Sequence, residues 1–237
     1  MRVSAAGRPD AWAEIGTWGE GARPVLRGRW HINDRCAWIK NPSYLRIRGL
    51  TLAWAGKGLV VTCDRNSCRG LIIEDCVAHH IEGLYRFNSH GIPEWRDQPG
   101  AAADGCPISA GIAVVGGQAT DVVLRDCEMF QCSWGFMARG SGVLIERIVC
   151  RDNHVFNTSP HPAVVGLHRS WLRHSVFDAA GYHAYAGTMG IMVVDSSGLV
   201  IDQCHFMNQP DSGCTDEGGI DFEAQGQGCL VTRCTFR

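Results

Sequence analysis

A chain of 237 residues with 45% hydrophobic residues has the apolar content of a folded domain, and a formal net charge of −2 gives no electrostatic reason to bind nucleic acid or an anionic membrane. No apolar run approaches the roughly 20 residues of a bilayer span, and the start "MRVSAAGRPDAW" lacks the apolar stretch of a secretory signal. Lys40 and Lys57 are the only lysines, so positive charge is almost all arginine.

In chain order, seven octapeptides line up: "LRIRGLTL" (45–52), "LIIEDCVA" (71–78), "VVLRDCEM" (122–129), "VLIERIVC" (143–150), "WLRHSVFD" (171–178), "LVIDQCHF" (199–206) and "LVTRCTFR" (230–237). One register makes Leu50, Cys76, Cys127, Ile148, Ser175, Cys204 and Cys234 equivalent, at spacings of 26, 51, 21, 27, 29 and 30 residues. The long spacing holds an insertion or a second, degenerate turn. Each segment alternates apolar and polar residues, which is strand periodicity. A second element accompanies each: "GLVVT" (58–62), "GIAVV" (111–115), "GFMAR" (135–139), "GIMVV" (190–194) and "GIDFE" (219–223), with "AVVGL" (163–167) a weaker copy. "VVGGQ" (114–118) and "GTMG" (187–190) lack the lysine and helix of a phosphate loop and read as tight corners.

Short strands at a fixed period with no helical pattern between them predict a parallel β-solenoid of about seven to eight turns, all-β and a single domain over 1–237. Residues 1–43 form early coils and 44–237 the regular repeats. The hairpins of a β-sandwich would not keep one residue type at one phase. The equivalent cysteines then form an inward ladder of small apolar thiols, which accounts for much of a count of twelve without disulfides. No C-x-x-C pair is present, against a zinc knuckle or thioredoxin-like motif. The C-x4-C pairs Cys63/Cys68, Cys127/Cys132 and Cys229/Cys234 fall at different phases and read as coincidence.

The pattern "GLxIxxCxF…GGIxF" resembles the right-handed parallel β-helix proteins of the pectate-lyase-like superfamily, and "AEIGTWGEGARPVLRGRW" (13–30) resembles an early coil of many secreted members. The resemblance implies the fold. It leaves open polysaccharide lyases, glycoside hydrolases, uronan epimerases and non-catalytic adhesins or spikes. Because relatives carry further coils and a cap before this motif, the chain is expected to be a fragment lacking one or both caps.

Long connections are expected at 77–110, 149–162, 176–189 and 205–218, and they collect His79, His80, His90, His154, His161, His183 and His205 with Tyr182, Tyr185, Asp178, Asp216 and Glu217. Equivalent loops of a solenoid stack, so these side chains should form one wall beside the "GIxxx" sheet. In "GGIDFE" the strand period points Ile220 and Phe222 inward and Asp221 and Glu223 outward. Their Cα atoms would be about 6.5–7 Å apart, a spacing open to acid/base work on a glycosidic bond. Met192 and Val194, and further back Met137 and Arg139, would supply an apolar strip for a sugar ring.

The candidate catalytic residues are therefore Asp221, Glu223, Glu217, His154, His161 and His183, and the candidate substrate contacts Arg139, Tyr182, Tyr185 and Met192. A lyase would draw its base from the loop histidines or tyrosines, Arg139 or Lys57. His154, His161 and His183 could also hold a metal. Arg169 and Arg173, flanking Trp171, read as a solvated face that could also meet an acidic sugar. No cofactor is required; Asp216 and Glu217 offer the hard oxygens that Ca2+ prefers. The expectation is a carbohydrate-active protein, a polysaccharide lyase or glycoside hydrolase acting on an acidic polysaccharide, or alternatively a non-catalytic carbohydrate-binding or structural module. The expected partner is a polysaccharide, not nucleic acid. The expected state is a monomer, and the resemblance implies an extracellular or cell-surface location.

Overall fold

The computed structural model describes residues 2–4, 6–31, 34–64, 68–83, 85–87, 93–95, 109–116, 119–153, 156–158, 166–179, 189–211, 218–224 and 226–237, with backbone alone at 85–87, 93–95 and 156–158. Three sheets stack eight strands each along one path. Sheet 1 runs Arg2–Val3, Arg35–Lys40, Lys57–Thr62, Ala110–Val115, Trp134–Ala138, Phe156–Thr158, Met189–Val194, Gly218–Glu223. Sheet 2 runs Ala13–Gly16, Ser43–Arg48, Arg69–Glu74, Thr120–Arg125, Leu144–Glu146, Trp171–Arg173, Val200–Asp202, Leu230–Thr232; Gly140–Ser141 and Leu167–His168 pair beside it. Sheet 3 runs Val25–Arg27, Thr51–Ala55, Val77–Ile81, Glu128–Cys132, Val149–Arg151, Val176–Asp178, His205–Met207, Thr235–Phe236. Pairing within all three is parallel, and each coil contributes one strand to each sheet: a right-handed parallel β-helix.

The repeat has three strands where the sequence suggests two, because each octapeptide bends in its middle. Glu74 ends a strand of sheet 2, Asp75 takes a φ of 51°, and Val77 opens a strand of sheet 3. The same left-handed residue recurs as Gly49, Asp126, Arg147, His174, Gln203 and Arg233. A non-glycine residue there costs about 1–2 kcal/mol. In return the next coil reads the corner residue directly: the Val77 amide donates to the Leu50 carbonyl at 2.9 Å, Glu128 to Cys76 at 3.0 Å, Val149 to Cys127 at 2.9 Å and Thr235 to Cys204 at 2.9 Å. The register read from sequence holds, and the coil of Cys127 sits directly on that of Cys76, so the long spacing is an insertion within one turn. Part of it is an antiparallel hairpin, Tyr85–Phe87 with Pro93–Trp95.

The expected long connections therefore begin as sheet 3 strands, and His79, His80, Asp178 and His205 are strand residues rather than members of a loop wall. The sheet 1 strand of the sixth coil is Phe156–Thr158, not the weak copy at 163–167; Leu167 pairs beside sheet 2.

Inside, Cys76, Cys127 and Cys204 form the expected buried ladder, and burial pushes the Cys204 thiol up to about 12, which keeps it neutral and inert. One C-x4-C pair departs from expectation: Cys63 and Cys68 are joined in a buried disulfide, whereas Cys127, Cys132, Cys229 and Cys234 are free. On sheet 3, Phe177, Phe206 and Phe236 stack with ring centroids 5.0 and 5.2 Å apart, the spacing of the coils themselves. This stack explains the glycine of the "GIxxx" element. A Cβ on Gly190 would lie 2.6 Å from Phe206 Cδ1, and one on Gly219 would collide with Phe236.

Phe222 shares the inward row, paired with Val193, but is 42% exposed because no described strand follows Gly218–Glu223 in sheet 1. Its expected full burial is corrected accordingly. On the outer face of sheet 2 one row alternates in sign: Arg48, Glu74, Arg125, Glu146, Arg173, Asp202. Arg125 reaches Glu74 at 2.5 Å, Arg173 and Arg147 clasp Glu146 at 2.8 and 2.9 Å, and Arg233 closes on Asp202 at 2.5 Å.

Phe206→Ala should destabilise the fold by about 3–5 kcal/mol and Phe222→Ala by only about 1–2, read from equilibrium denaturation. Equal losses would contradict the assigned row. Burial by itself would raise the Glu146 carboxyl, but Arg173 and Arg147 outweigh it and hold it below the usual carboxylate range. The unfolded chain then takes up a proton at a higher pH than the folded chain does. The contribution is thus full at neutral pH and is lost as acidification passes first the ordinary carboxylate range and then the lower folded value. Glu146→Gln should cost about 1.5–3 kcal/mol at neutral pH and little in strong acid, so thermal melts of variant and parent should converge at low pH.

Candidate functional site

The acidic pair lies where strand periodicity puts it. Asp221 and Glu223 face outward on the last strand of sheet 1, opposite Met192 and Val194, and both are half-buried. The face beside them differs from the expected platform. Val60, Ala113 and Met137 form one buried outward row, Val115, Trp134 and Val194 are buried with them, and Met192 packs against this cluster. A sugar ring cannot rest on Met137 or Val194, which are 1% and 0% exposed. Over its central strands sheet 1 is apolar on both faces, the rule for parallel sheets. Lys57 is fully buried and engaged, which removes it as a base open to substrate.

His154, His161, His183, Tyr182, Tyr185, Asp216 and Glu217 lie outside the described residues. Among the described residues no group of three or more His, Cys, Asp or Glu side chains could hold a metal ion, and no helix is long and apolar enough to cross a membrane.

Arg139 marks the better formed site. At the corner where sheet 1 passes to sheet 2, Thr120, Arg139, Gly140, Ser141, Gly166, His168 and Arg169 line a cleft of about 310 Å³. Arg169 is exposed in a left-handed conformation, φ 48°, and donates to Ser141 Oγ at 3.2 Å. His168 Nδ1 meets Ser197 Oγ at 2.8 Å, and Nε2 has no hydrogen bond among the described residues. Nε2 lies over Gly166, where a Cβ would stand 2.7 Å from it. Arg139 is half-buried and makes no side-chain hydrogen bond or ion pair among the described residues. That sets it apart from Arg125, Arg147, Arg151, Arg173 and Arg233, each of which is tied to a carboxylate. Arg173 is thus structural, and Arg169 the member of the pair around Trp171 that is available to a ligand.

Sequence reasoning named Arg139 and Arg169 but passed over His168, because attention went to the long connections. The signal was "GLHRSW" (166–171), a His–Arg pair on the short corner ahead of a sheet 2 strand.

No family model matches the chain, and no curated protein matches it by sequence. Among solved structures it is similar to the GH136 lacto-N-biosidase from Eubacterium ramulus, with a TM-score of 0.65 and 11% identity, over 99% of this chain and 48% of that one. It is also similar to the enzymatically active domain of bacteriophage CBA120 tailspike protein 2, with a TM-score of 0.56 and 11% identity, over 98% of this chain and 37% of that one. The chain spans about half the length of the first and over a third of the second. At this identity the likeness is one of architecture, in agreement with the three stacked parallel sheets: the chain is a right-handed parallel β-helix.

Proposed function

We propose that the chain is a carbohydrate-active β-helix that takes an acidic polysaccharide into the cleft of Arg139, His168 and Arg169. The observation that carries this reading is Arg139, unpaired among the described residues, beside Arg169 and His168, in a molecule whose other outer-face arginines on sheets 2 and 3 are largely spent on carboxylates. Guanidinium groups read carboxylates well, and an anionic sugar would complete a cleft that the fold leaves positive. The lacto-N-biosidase, a carbohydrate-acting enzyme by its name, supports carbohydrate as the ligand, and the acidity of that ligand is argued from the cleft alone.

The reaction that suits this cleft is β-elimination. The arginines would neutralise the uronate carboxylate, and His168 Nε2, in the tautomer whose Nδ1–H donates to Ser197 Oγ, would accept the C5 proton beside it; the electron pair forms the C4=C5 double bond as the C4–O glycosidic bond breaks, and the departing oxygen takes a proton from water. A second reading, hydrolysis, rests on Asp221 and Glu223, whose i, i+2 placement on one face suits a pair of carboxyl groups flanking a glycosidic bond. Ca2+ at Asp216 and Glu217 belongs to that second reading. The buried Cys63–Cys68 disulfide supports an oxidising, extracellular or cell-surface setting.

The test is a panel of acidic polysaccharides assayed in parallel for unsaturated uronate, new reducing ends and binding. Unsaturated product lost in His168→Ala identifies the lyase. Reducing ends without unsaturation, lost in Asp221→Asn or Glu223→Gln, identify the hydrolase. Binding with neither product identifies a carbohydrate-binding module, and no binding at all sinks the proposal. Arg139→Met should weaken binding about tenfold or more at low salt and less at high salt. Gly166→Ala should push the His168 ring aside and lower turnover while leaving the melting temperature nearly unchanged; unaltered turnover would take His168 out of the reaction.

A further inference from the structure

One outward row of sheet 2 is apolar over six successive coils: Ile72, Val123, Leu144, Trp171, Val200 and Leu230. A solvent-facing row of a sheet ordinarily alternates polar with the buried row, as the neighbouring Arg/Glu row does. Trp171 is its largest member and is 46% exposed. It stands two residues beyond Arg169, a residue of the cleft, on the same outer side of the chain. The residue between them, Ser170, is buried; its Oγ donates to the His168 carbonyl at 2.9 Å and accepts from the Val143 amide at 3.1 Å. That pair of bonds fixes the corner, and with it the position of the indole relative to His168 and Arg169.

From this placement we infer that Trp171 is a second saccharide subsite, stacking the sugar ring next to the one held in the Arg139 cleft. The inference rests on the proposed function of that cleft. Leu144 and Val200, one coil to each side at about 4.8 Å, extend the indole into a strip on which the C–H face of a pyranose can lie. The charges on the side of Trp171 away from the cleft are already satisfied: Arg173 is held by Glu146, and Glu146 by Arg147 as well. Trp171 therefore reads the face of the ring and not its carboxylate. Of the two subsites, only the cleft selects for acidity. Its largest member stands two residues from the cleft residue Arg169, which is why a saccharide rather than a second copy of the chain is assigned to the row.

Titration calorimetry with galacturonate and mannuronate and with their oligomers up to the hexasaccharide separates the two sites. In the parent chain affinity should rise with length. Trp171→Ala should leave the monosaccharides unaffected and weaken the disaccharide and longer oligomers about threefold to tenfold, with Trp171→Phe restoring most of the loss. Arg139→Met should weaken every length. If the parent binds but Trp171→Ala and Trp171→Phe match it at all lengths, the subsite is wrong and the cleft stands. If the parent binds no oligomer, the cleft reading falls and the subsite with it. If instead the parent is a dimer in sedimentation and Trp171→Ala is a monomer, the row belongs to a second copy and the inference is overturned.

Discussion

A single left-handed residue between sheet 2 and sheet 3, repeated at Gly49, Asp75, Asp126, Arg147, His174, Gln203 and Arg233, is the constraint on which the rest of the molecule depends. It turns the chain without a loop, so no coil can gain or lose a residue there and stay stacked. The residue that follows it points inward and hands its carbonyl to the next coil, which ties Leu50, Cys76, Cys127 and their equivalents into one column. Sheets 2 and 3 are locked together as a result. Among the described residues, variation in length falls at the other two corners: the Cys63–Cys68 disulfide, the cleft at 139–141 and 166–169, and the paired strands Tyr85–Phe87 and Pro93–Trp95. The candidate cleft lies at a corner, which is where the fold tolerates change.

The same constraint was written in the sequence. In "LxIxxCxF" the inward residues are Leu, Ile, Cys and Phe, and alternation skips one step at the doubled x. Ile73 points inward, Glu74 and Asp75 both face solvent, and Cys76 points inward again. A continuous strand cannot do that, since its side chains change face at every residue. The doubled polar position marks the left-handed corner and hence a third sheet, and a reading that treated the octapeptide as one strand lost it. Register, fold class, the cysteine ladder and the outward pointing of Asp221 and Glu223 were all legible because they depend only on period. The exposure of Phe222 was not, since burial of an inward row depends on a neighbour on each side rather than on the residue itself.

The outer face of sheet 1 teaches a related point. "AGIAVV" is buried at every position, while sheet 2 strands such as "TDVVLR" alternate. Unbroken apolar runs signal burial on both faces. Met137 and Val194 were therefore identifiable as interior in character, and not as a sugar platform, from the company they keep in their own strands.

What separates a candidate site from scaffold in this protein is whether a charge is already used by the fold. Along sheet 2 each carboxylate meets an arginine of a neighbouring coil, and such partly buried pairs give specificity of stacking more than net stability. Charges committed in this way cannot also neutralise a substrate, because removing either partner strands the other. Arginine count alone thus says little, and the near absence of lysine says less. Arg139 matters because it stands outside the ladder, beside a histidine with one nitrogen held and one open. An acidic ligand placed there gains its counter-charge without breaking any pair that the fold requires. At Arg173 it would first have to displace Glu146.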